Sequence, residues 1–182
     1  MRIEIVPYDF AWPAAFTIEA MRVREALGSL ALRIDHNGST AVPGLAAKPI
    51  IDIQVSVRGL EPLSAYGDRL RTIGYTHVPH PDDSFCPFFF RPRVGPHTHH
   101  IHVVESGGAE ERRTLAFRDY LRDHTEAARE YEQLKRDLAS KGVGSDADSH
   151  EDYARAKTDF IERMIATALA AGYPRSLPNS PL

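Results

Sequence analysis

The residues of this chain with the clearest chemical potential lie in one stretch, HNGSTAVPGLAAKPIIDIQ, which covers residues 36–54. Glycine lets the backbone approach a phosphate closely, a hydroxyl group can hydrogen-bond to it, and a lysine adds a positive point charge. An aspartate on the following strand can hold a divalent metal ion against that phosphate. The predicted phosphate- and metal-binding residues are Gly38, Ser39, Thr40, Lys48 and Asp52. The alternative is that they only shape a turn and that the aspartate is an ordinary exposed strand residue.

A second group of candidate residues is the segment THHIH, residues 98–102. Alternate side chains of a strand share a face, so His100 and His102 point the same way. Neutral imidazole favours zinc or another transition metal over magnesium, and two imidazoles with Asp52 would form a facial ligand set. We therefore predict a metal site of Asp52, His100 and His102, with His102 as ligand or base. The alternative is one buried, hydrogen-bonded histidine and one that faces solvent.

Two basic residues in the C-terminal third accompany apolar helical stripes. Lys157 comes three residues before Phe160 and lies in an apolar stripe of the helix. One interpretation is that its ammonium group contacts a phosphate. The alternative is that its methylene stem packs on the stripe while the charge reaches solvent. Arg118 pairs either with a triphosphate or with a nearby aspartate, Asp119 or Asp123. We include both basic residues among the predicted phosphate ligands.

The chain closely resembles the GrpB family in four sequence blocks. These are IEIVPYDFAWPAAF, HNGSTAVPGLAAKPIIDI, THHIHVVE and FRDYLR. These blocks occur in the same order and span about residues 3–165. The resemblance implies a nucleotidyltransferase-like fold, related to that of polymerase beta, with a Gly-Ser turn and an Asp-x-Asp pair on the next strand. Gly38, Ser39 and Asp52 match that pattern, whereas Gln54 replaces the second carboxylate.

Gln54 leaves two functional hypotheses open, because an amide cannot supply the negative charge on which two-metal phosphoryl chemistry relies. One is a metal-dependent nucleotidyltransferase that binds a nucleotide or phosphorylated small molecule and transfers to an unknown acceptor. The other is a catalytically inactive module that recognises such a ligand for regulation. Similar domains joined to dephospho-coenzyme A kinase in some bacteria imply a link to coenzyme A or nucleotide metabolism. The expected cofactor is a divalent metal ion: magnesium, manganese or zinc.

The elements that must position these residues follow from hydrophobic periodicity. The pattern predicts an α+β (α/β-like) fold, in which a mixed β-sheet is flanked by helices and the C-terminal third is helical. Helices are expected at 12–27, 60–73, 110–123, 125–141 and 150–171, and strands at 3–8, 30–36, 50–57, 85–91 and 98–105. The last two strands are predicted to form a hairpin. The loop at 38–48 carries the candidate phosphate site.

Finer expectations concern the individual strands and the domain boundaries. In strand 50–57 the isoleucine and valine face is expected to pack and the polar face to be wet. The aromatic run at 88–90 is expected in the core, with a ring stacked on a nucleotide base as the alternative. We predict one domain of residues 1–172, with a sheet core at about 1–105 and a helical layer at about 110–171. A disordered tail, 173–182, follows.

Charge and composition narrow the class of partner. The net charge is −3, whereas proteins that bind nucleic acids or anionic lipids broadly usually carry an excess of basic residues. This argues against a nucleic-acid partner. The only cysteine is Cys86, so no intramolecular disulfide forms, and no apolar run approaches the roughly 20 residues of a membrane span. Without a secretory segment the expected location is the cytoplasm.

Overall fold

The backbone is divided into two units, each built from segments that are distant in the sequence. The computed structural model describes residues 4–140, 155 and 157–175. The first unit consists of Phe10–Ala41 and Ile50–Glu111, and the second of the described residues of Met1–Asp9, Val42–Pro49 and Arg112–Leu182. The predicted single domain of residues 1–172 stays a prediction.

A five-stranded mixed sheet forms the centre of the first unit. Its strands are β1 (Arg33–Asn37), β2 (Ile51–Val57), β3 (Thr76–Val78), β4 (Phe88–Arg91) and β5 (His99–Glu105), in the order β1-β2-β5-β4-β3. Only β2 and β5 run parallel, and β4 and β5 form the predicted hairpin. The α+β prediction is therefore confirmed. The short strand β3 was not predicted, because three residues are too few for an alternating pattern to be recognised.

Two helices cover the apolar face of this sheet: α1 (Trp12–Leu27) and α2 (Ser64–Thr72). Pro13 lies in the first turn of α1, where its missing N–H costs nothing. The Phe16 ring of α1 stacks on the His36 ring of β1 with centroids 4.7 Å apart. A methyl group added to Gly67 of α2 would lie 3.6 Å from the Phe89 ring. Both helices therefore pack closely on the strands.

A buried carboxylate connects α1 to the edge of the sheet formed by β4 and β3. Glu19 is 2% exposed and accepts hydrogen bonds from Arg22 at 2.8 Å, Arg91 at 2.6 Å and the Tyr75 hydroxyl at 3.0 Å. Burial, followed by the negative charge of Glu19, raises the pKa of Tyr75 far above its ordinary value. The phenol therefore remains protonated and donates to this carboxylate.

Both faces of β2 are buried, so the expectation of a wet polar face is wrong for two of its three residues. Gln54 and Ser56 are 0% exposed. The Ser56 hydroxyl donates to Glu111, whose other carboxylate oxygen accepts the N–H of Gly107 at 2.7 Å. The physical reason is that the Ser56 hydroxyl and Oε1 of Gln54 find hydrogen-bonding partners inside the protein, which removes much of the penalty for burying them.

The second unit is mainly helical. Its helices are α3 (Ala109–Asp123), whose first turn belongs to the first unit, α4 (Thr125–Ser140) and α5 (Thr158–Ala170). Its core cluster consists of Val42, Leu45, Leu121, Ala128, Tyr131 and Phe160. The Tyr131 and Phe160 rings stack with centroids 5.3 Å apart, which joins α4 to α5. Of the helix predicted at 150–171, residues 150–154 and 156 lie outside the described residues.

Both ends of the described chain depart from the sequence predictions. Of the strand predicted at 3–8, residue 3 lies outside the described residues, and residues 4–8 contain only a bridge at Val6, which exchanges two backbone hydrogen bonds with Ala47. Tyr173, assigned to a disordered tail, is 3% exposed and donates to Asp123 at 2.7 Å. Residues 176–182 lie outside the described part. No helix among the described residues has the length and apolar character needed to cross a membrane.

Candidate functional site

The turn after β1 lies directly against the carboxylate of Asp52. Gly38 has φ +65°, and the N–H of Ala41 donates to its carbonyl oxygen at 3.2 Å, which closes a short 3-10 turn over Ser39–Ala41. A Cβ added to Gly38 would lie 2.2 Å from Oδ2 of Asp52. Only glycine fits here, both because of the positive φ and because the carboxylate occupies the space. The structure therefore brings the Gly-Ser turn and Asp52 together.

Replacing Gly38 with alanine is expected to reduce the free energy of unfolding by at least about 2 kcal/mol. About half of this is the cost of a non-glycine residue at positive φ, and the rest comes from displacing the Asp52 side chain. Urea denaturation would measure it. Gly44→Ala is a matched control, because Gly44 also has a positive φ, +80°, but nothing within 4 Å of an added Cβ. Equal losses in the two variants would show that Asp52 does not constrain the turn.

Asp52 is held by a chain of two imidazoles. The parallel register pairs Asp52 with His100, and Nδ1 of His100 lies 3.2 Å from Oδ1 of Asp52. Nε2 of His100 in turn lies 3.2 Å from Nδ1 of His97. Both contacts are satisfied if Nδ1–H of His100 donates to Asp52 and Nε2 of His100 accepts from His97. His97 was not among the predicted site residues, although its place three residues before His100 was a usable signal.

His102 lies one step further along the same strand face, opposite Gln54 in the register. Its Nδ1 is 3.8 Å from Sγ of Cys86, and its ring centroid is 5.1 Å from that of Phe88. Burial lowers the pKa of His102, while the Asp52 carboxylate acts in the opposite direction. Burial also raises the pKa of Cys86 to about 12, so the two groups form a neutral thiol and imidazole pair at pH 7.

The aromatic run of β4 contributes to both faces of the sheet. Phe89 is buried on the apolar face, as predicted. Phe88 and Phe90 are half-buried on the other face, where the Phe90 ring stacks on His97 with centroids 4.1 Å apart and Phe88 contacts His100 edge-on at 4.9 Å. These two rings therefore form an apolar border beside the histidines.

The metal-binding prediction has to be compared with this donor set. Within residues 4–140, 155 and 157–175, no group of three or more His, Cys, Asp or Glu side chains is placed to hold a metal ion. Asp52 and His100 are hydrogen-bonded to each other, and His102 faces Cys86. The Asp52 carboxylate by itself suits an ion such as Mg²⁺ that takes most of its ligands from phosphates and water. The three-residue set Asp52, His100 and His102 stays a prediction.

The hydroxyl group of Thr40 is engaged inside the first unit. Thr40 is 1% exposed; its Oγ1 lies 3.0 Å from Nε2 of His36 and donates to the carbonyl oxygen of Ile50 at 3.3 Å. His36 therefore braces the turn from the apolar side of the sheet. Any phosphate contact by Thr40 would have to use its backbone N–H, whereas Ser39 is half-buried.

Gln54 lies two residues after Asp52 on β2, on the same face of the strand. Its Oε1 accepts a hydrogen bond from Nδ2 of Asn37 on β1 at 3.1 Å, and its side chain is fully buried. The amide therefore helps to join β1 to β2. The observed contact of Gln54 is therefore a structural one between two strands of the sheet.

The remaining predicted phosphate ligands, Lys48, Arg118 and Lys157, belong to the second unit and are described within it. Arg118 is buried and forms the ion pair with Asp119 that the sequence left open, with Nε donating to Oδ1 at 2.8 Å. Lys157 occupies the N-cap position of α5 without a side-chain capping hydrogen bond, and it is half-buried, as is Lys48. Their roles as phosphate ligands stay predictions.

Comparison with known proteins identifies close relatives of this chain. The family model described as GrpB protein matches residues 2–167. The UPF0157 protein PA4798 of Pseudomonas aeruginosa is 40% identical over 174 residues, which are 93% of this chain and 69% of the relative. The UPF0157 protein YqkA of Bacillus subtilis is 35% identical over 162 residues, 88% of this chain, and this chain spans only 46% of that relative.

A solved structure and a more distant relative extend the comparison. The crystal structure of the conserved protein GrpB from Enterococcus faecalis superposes with a TM-score of 0.81 at 32% identity, covering 92% of this chain and 98% of that one. A protein named dephospho-CoA kinase from Mycolicibacterium paratuberculosis is 28% identical over 166 residues. The match covers 78% of this chain but only 41% of that relative.

Proposed function

The chain belongs to the GrpB family, and we propose that it is a nucleotide-binding transferase of nucleotidyltransferase type. In this proposal Asp52 holds a divalent metal ion against the phosphates of a nucleotide or phosphorylated small molecule. The observation that carries it is the direct approach of the Gly38 backbone to the Asp52 carboxylate. A turn that exposes backbone beside a strand-borne carboxylate suits recognition of a phosphate and its cation. The mixed sheet is consistent with a nucleotidyltransferase fold, which remains part of the proposal.

The chemistry of the donors favours magnesium or manganese that arrives with the nucleotide. Asp52 supplies one anionic oxygen, and His100 either orients that carboxylate through its Nδ1–H or adds a second ligand. When bound, the ion would neutralise phosphate charge. The Gly38–Ser39 turn would orient the phosphate, and His102 is the residue we assign as base. The acceptor is not specified by this arrangement.

The distant relative named dephospho-CoA kinase supports a phosphorylated or nucleotide-like ligand. Because this chain matches less than half of that protein, its name applies to the whole relative and kinase activity is not proposed here. The match shows that a segment similar to this chain occurs within a protein named for a coenzyme-related activity. This supports a link to coenzyme A or nucleotide metabolism.

A second candidate function is a regulatory module that binds the same ligand without turnover. The observation that favours it is Gln54, which is buried and accepts a hydrogen bond from Asn37, so it offers no charge to a second metal ion. A single carboxylate is enough to bind a metal–nucleotide complex, whereas two-metal transfer requires more anionic ligands.

The test of ligand binding compares wild type with Asp52→Asn in a calorimetric panel of nucleotides with Mg²⁺ or Mn²⁺. The variant keeps the shape of the side chain and removes its charge, so metal-dependent affinity is expected to fall at least about tenfold. Asp35→Asn is the control, because Asp35 lies on the same sheet face but pairs with Arg33 at 2.7 Å. Wild-type protein that binds no nucleotide, or equal binding by Asp52→Asn, would contradict the proposal.

Pyrophosphate release separates the enzyme from the binding module. Incubation of a bound nucleotide with a broad acceptor panel is expected to release pyrophosphate if the chain is a transferase, and the release should be lost in Asp52→Asn and His102→Ala. Binding without release at saturating metal would instead identify the regulatory module. Release that survives both substitutions would exclude the assigned roles of these two residues.

A further inference from the structure

The strand β1 forms one edge of the five-stranded sheet. Among the described residues its one strand neighbour is β2, which pairs with it in antiparallel register. An edge strand is a template on which another strand can pair through the backbone, and natural sheets usually cover such an edge or make it repel association. The edge belongs wholly to the first unit and is separate from the function proposed for Asp52.

The helix α1 lies above this edge. Its Phe16 ring stacks on His36 of β1. The other helix, α2, lies against Phe89 of β4 at Gly67. In the strand order β1-β2-β5-β4-β3, α2 is therefore on the side of α1 that is away from the β1 edge. The opposite flank of α1 faces the edge.

An apolar groove lies between this flank of α1 and the strand. Its lining includes Phe16, Ala20 and Met21 of α1 and Ile34 of β1. Met21 is 60% exposed, and Leu32, which directly precedes β1, is 45% exposed. Apolar groups are thus exposed on both the helix and the strand side of the groove, as is typical of a surface that contacts another protein.

The polar lining of the groove carries both signs of charge. Arg24 and Glu25 are neighbours on α1, both line the groove, and both are exposed. In a two-fold dimer the same patch of each copy meets the other, so the patch has to be complementary to itself. A base beside an acid meets that requirement, because each can face the opposite charge of the second copy.

The charges of β1 select one register for an antiparallel pair of two such strands. Residues opposite each other lie on the same face of the sheet, so the central registers are those centred on Arg33, Ile34 or Asp35. Centring on Arg33 places two arginines opposite each other, and centring on Asp35 two aspartates, and like charges in these positions repel. Centring on Ile34 places Arg33 of each copy opposite Asp35 of the other.

The register centred on Ile34 is compatible with the ion pair already present within the strand. Nη2 of Arg33 lies 2.7 Å from Oδ1 of Asp35. The second copy adds opposite charges to this pair and does not require it to break. Charged residues on a sheet edge usually oppose association. Here the alternation of sign turns them into an attraction in this one register.

We propose that the β1 edge and the α1 groove form a homodimer interface, in which a second copy of this chain extends the sheet across a two-fold axis at Ile34. Both α1 helices then lie side by side on one face of the extended sheet, and Met21 and Leu32 become buried at the junction. A second copy is the occupant that the charges favour, because their pattern is complementary to itself about Ile34.

Sedimentation equilibrium of the full chain tests this interface. Wild type is expected to be dimeric at roughly 50 μM. Arg33→Asp and Asp35→Arg should each raise the dissociation constant at least about tenfold, because each places like charges opposite each other across the junction. An equimolar mixture of the two variants should restore the dimer, since every facing pair is then of opposite sign. Both variants lack the ion pair within the strand, so recovery in the mixture excludes a general loss of stability as the cause.

A substitution at an exposed apolar residue keeps the proposal testable if the charge variants do not fold. Leu32→Lys is expected to weaken the dimer at least about tenfold, because it buries a charge at the junction. Val94→Lys is the matched control, since Val94 is 86% exposed in the connection between β4 and β5, and it should dimerise like wild type.

Three results would overturn the interface. The first is a wild-type protein that stays monomeric at roughly 100 μM, which would leave the edge to a strand of a different protein. The second is wild-type dimer affinity in Leu32→Lys or in both charge variants. The third is a mixture of Arg33→Asp and Asp35→Arg that remains monomeric.

Discussion

Glu19→Leu is expected to lower the free energy of unfolding by about 3–5 kcal/mol, a large part of the total stability of a domain of this size. The carboxylate is 2% exposed and is the common acceptor for Arg22, Arg91 and Tyr75. Its removal leaves two guanidinium groups close together without their shared counter-charge, and the Tyr75 hydroxyl loses its partner. Chemical denaturation followed by circular dichroism would measure the loss.

Two further variants isolate the buried network from a general effect on the helix. Glu25→Leu makes the same change at an exposed position of α1 and is expected to alter stability by no more than about 0.5 kcal/mol. Adding Arg91→Leu to Glu19→Leu should restore part of the loss, because one uncompensated charge disappears with it. If Glu19→Leu and Glu25→Leu had equal effects, the network would not stabilise the first unit.

Gln54→Asp is expected to lower the metal-free stability by about 3 kcal/mol or more. The sequence alone predicts that this substitution strengthens divalent-metal binding, because it places a second acid on the strand face of Asp52. The structure adds a cost, since Gln54 is 0% exposed and its amide accepts from Asn37. A shorter side chain that carries a charge would be buried there, close to another carboxylate.

Metal addition then tests the proposed function in the same variant. If a divalent ion binds beside Asp52, Mn²⁺ should stabilise Gln54→Asp more than it stabilises wild type, because the ion binds the folded state and neutralises both acids. Gln133→Asp at an exposed site of α4 is the control, with an expected change of about 0.5 kcal/mol or less. A Gln54→Asp protein as stable as wild type without metal would show that the position is accessible to water. If Mn²⁺ stabilised Gln54→Asp no more than wild type, a metal site beside Asp52 would be excluded.

Local features of this protein were predictable because they depend on the period of side chains along one segment. The alternating isoleucine and valine residues of β2 identify a strand, and the stripe with Pro13 in its first turn identifies α1. The Gly38–Ser39 turn and Asp52 were likewise identified together, since they flank one loop. The need for glycine at position 38 follows only in part from the sequence. The sequence predicts a tight turn, whereas the structure adds the carboxylate that fills the space of a side chain.

Contacts between residues far apart in the chain were decided only by the tertiary structure. Nothing near Glu19 in the sequence indicates Arg91 as its partner, 72 residues later. The burial of Gln54, the engagement of Thr40 by His36 and the place of His97 next to His100 depend in the same way on which strands become neighbours. A side chain's period specifies the face on which it lies. Whether that face is buried, and which partner satisfies its polar atoms, is set by elements that pack there from elsewhere in the chain.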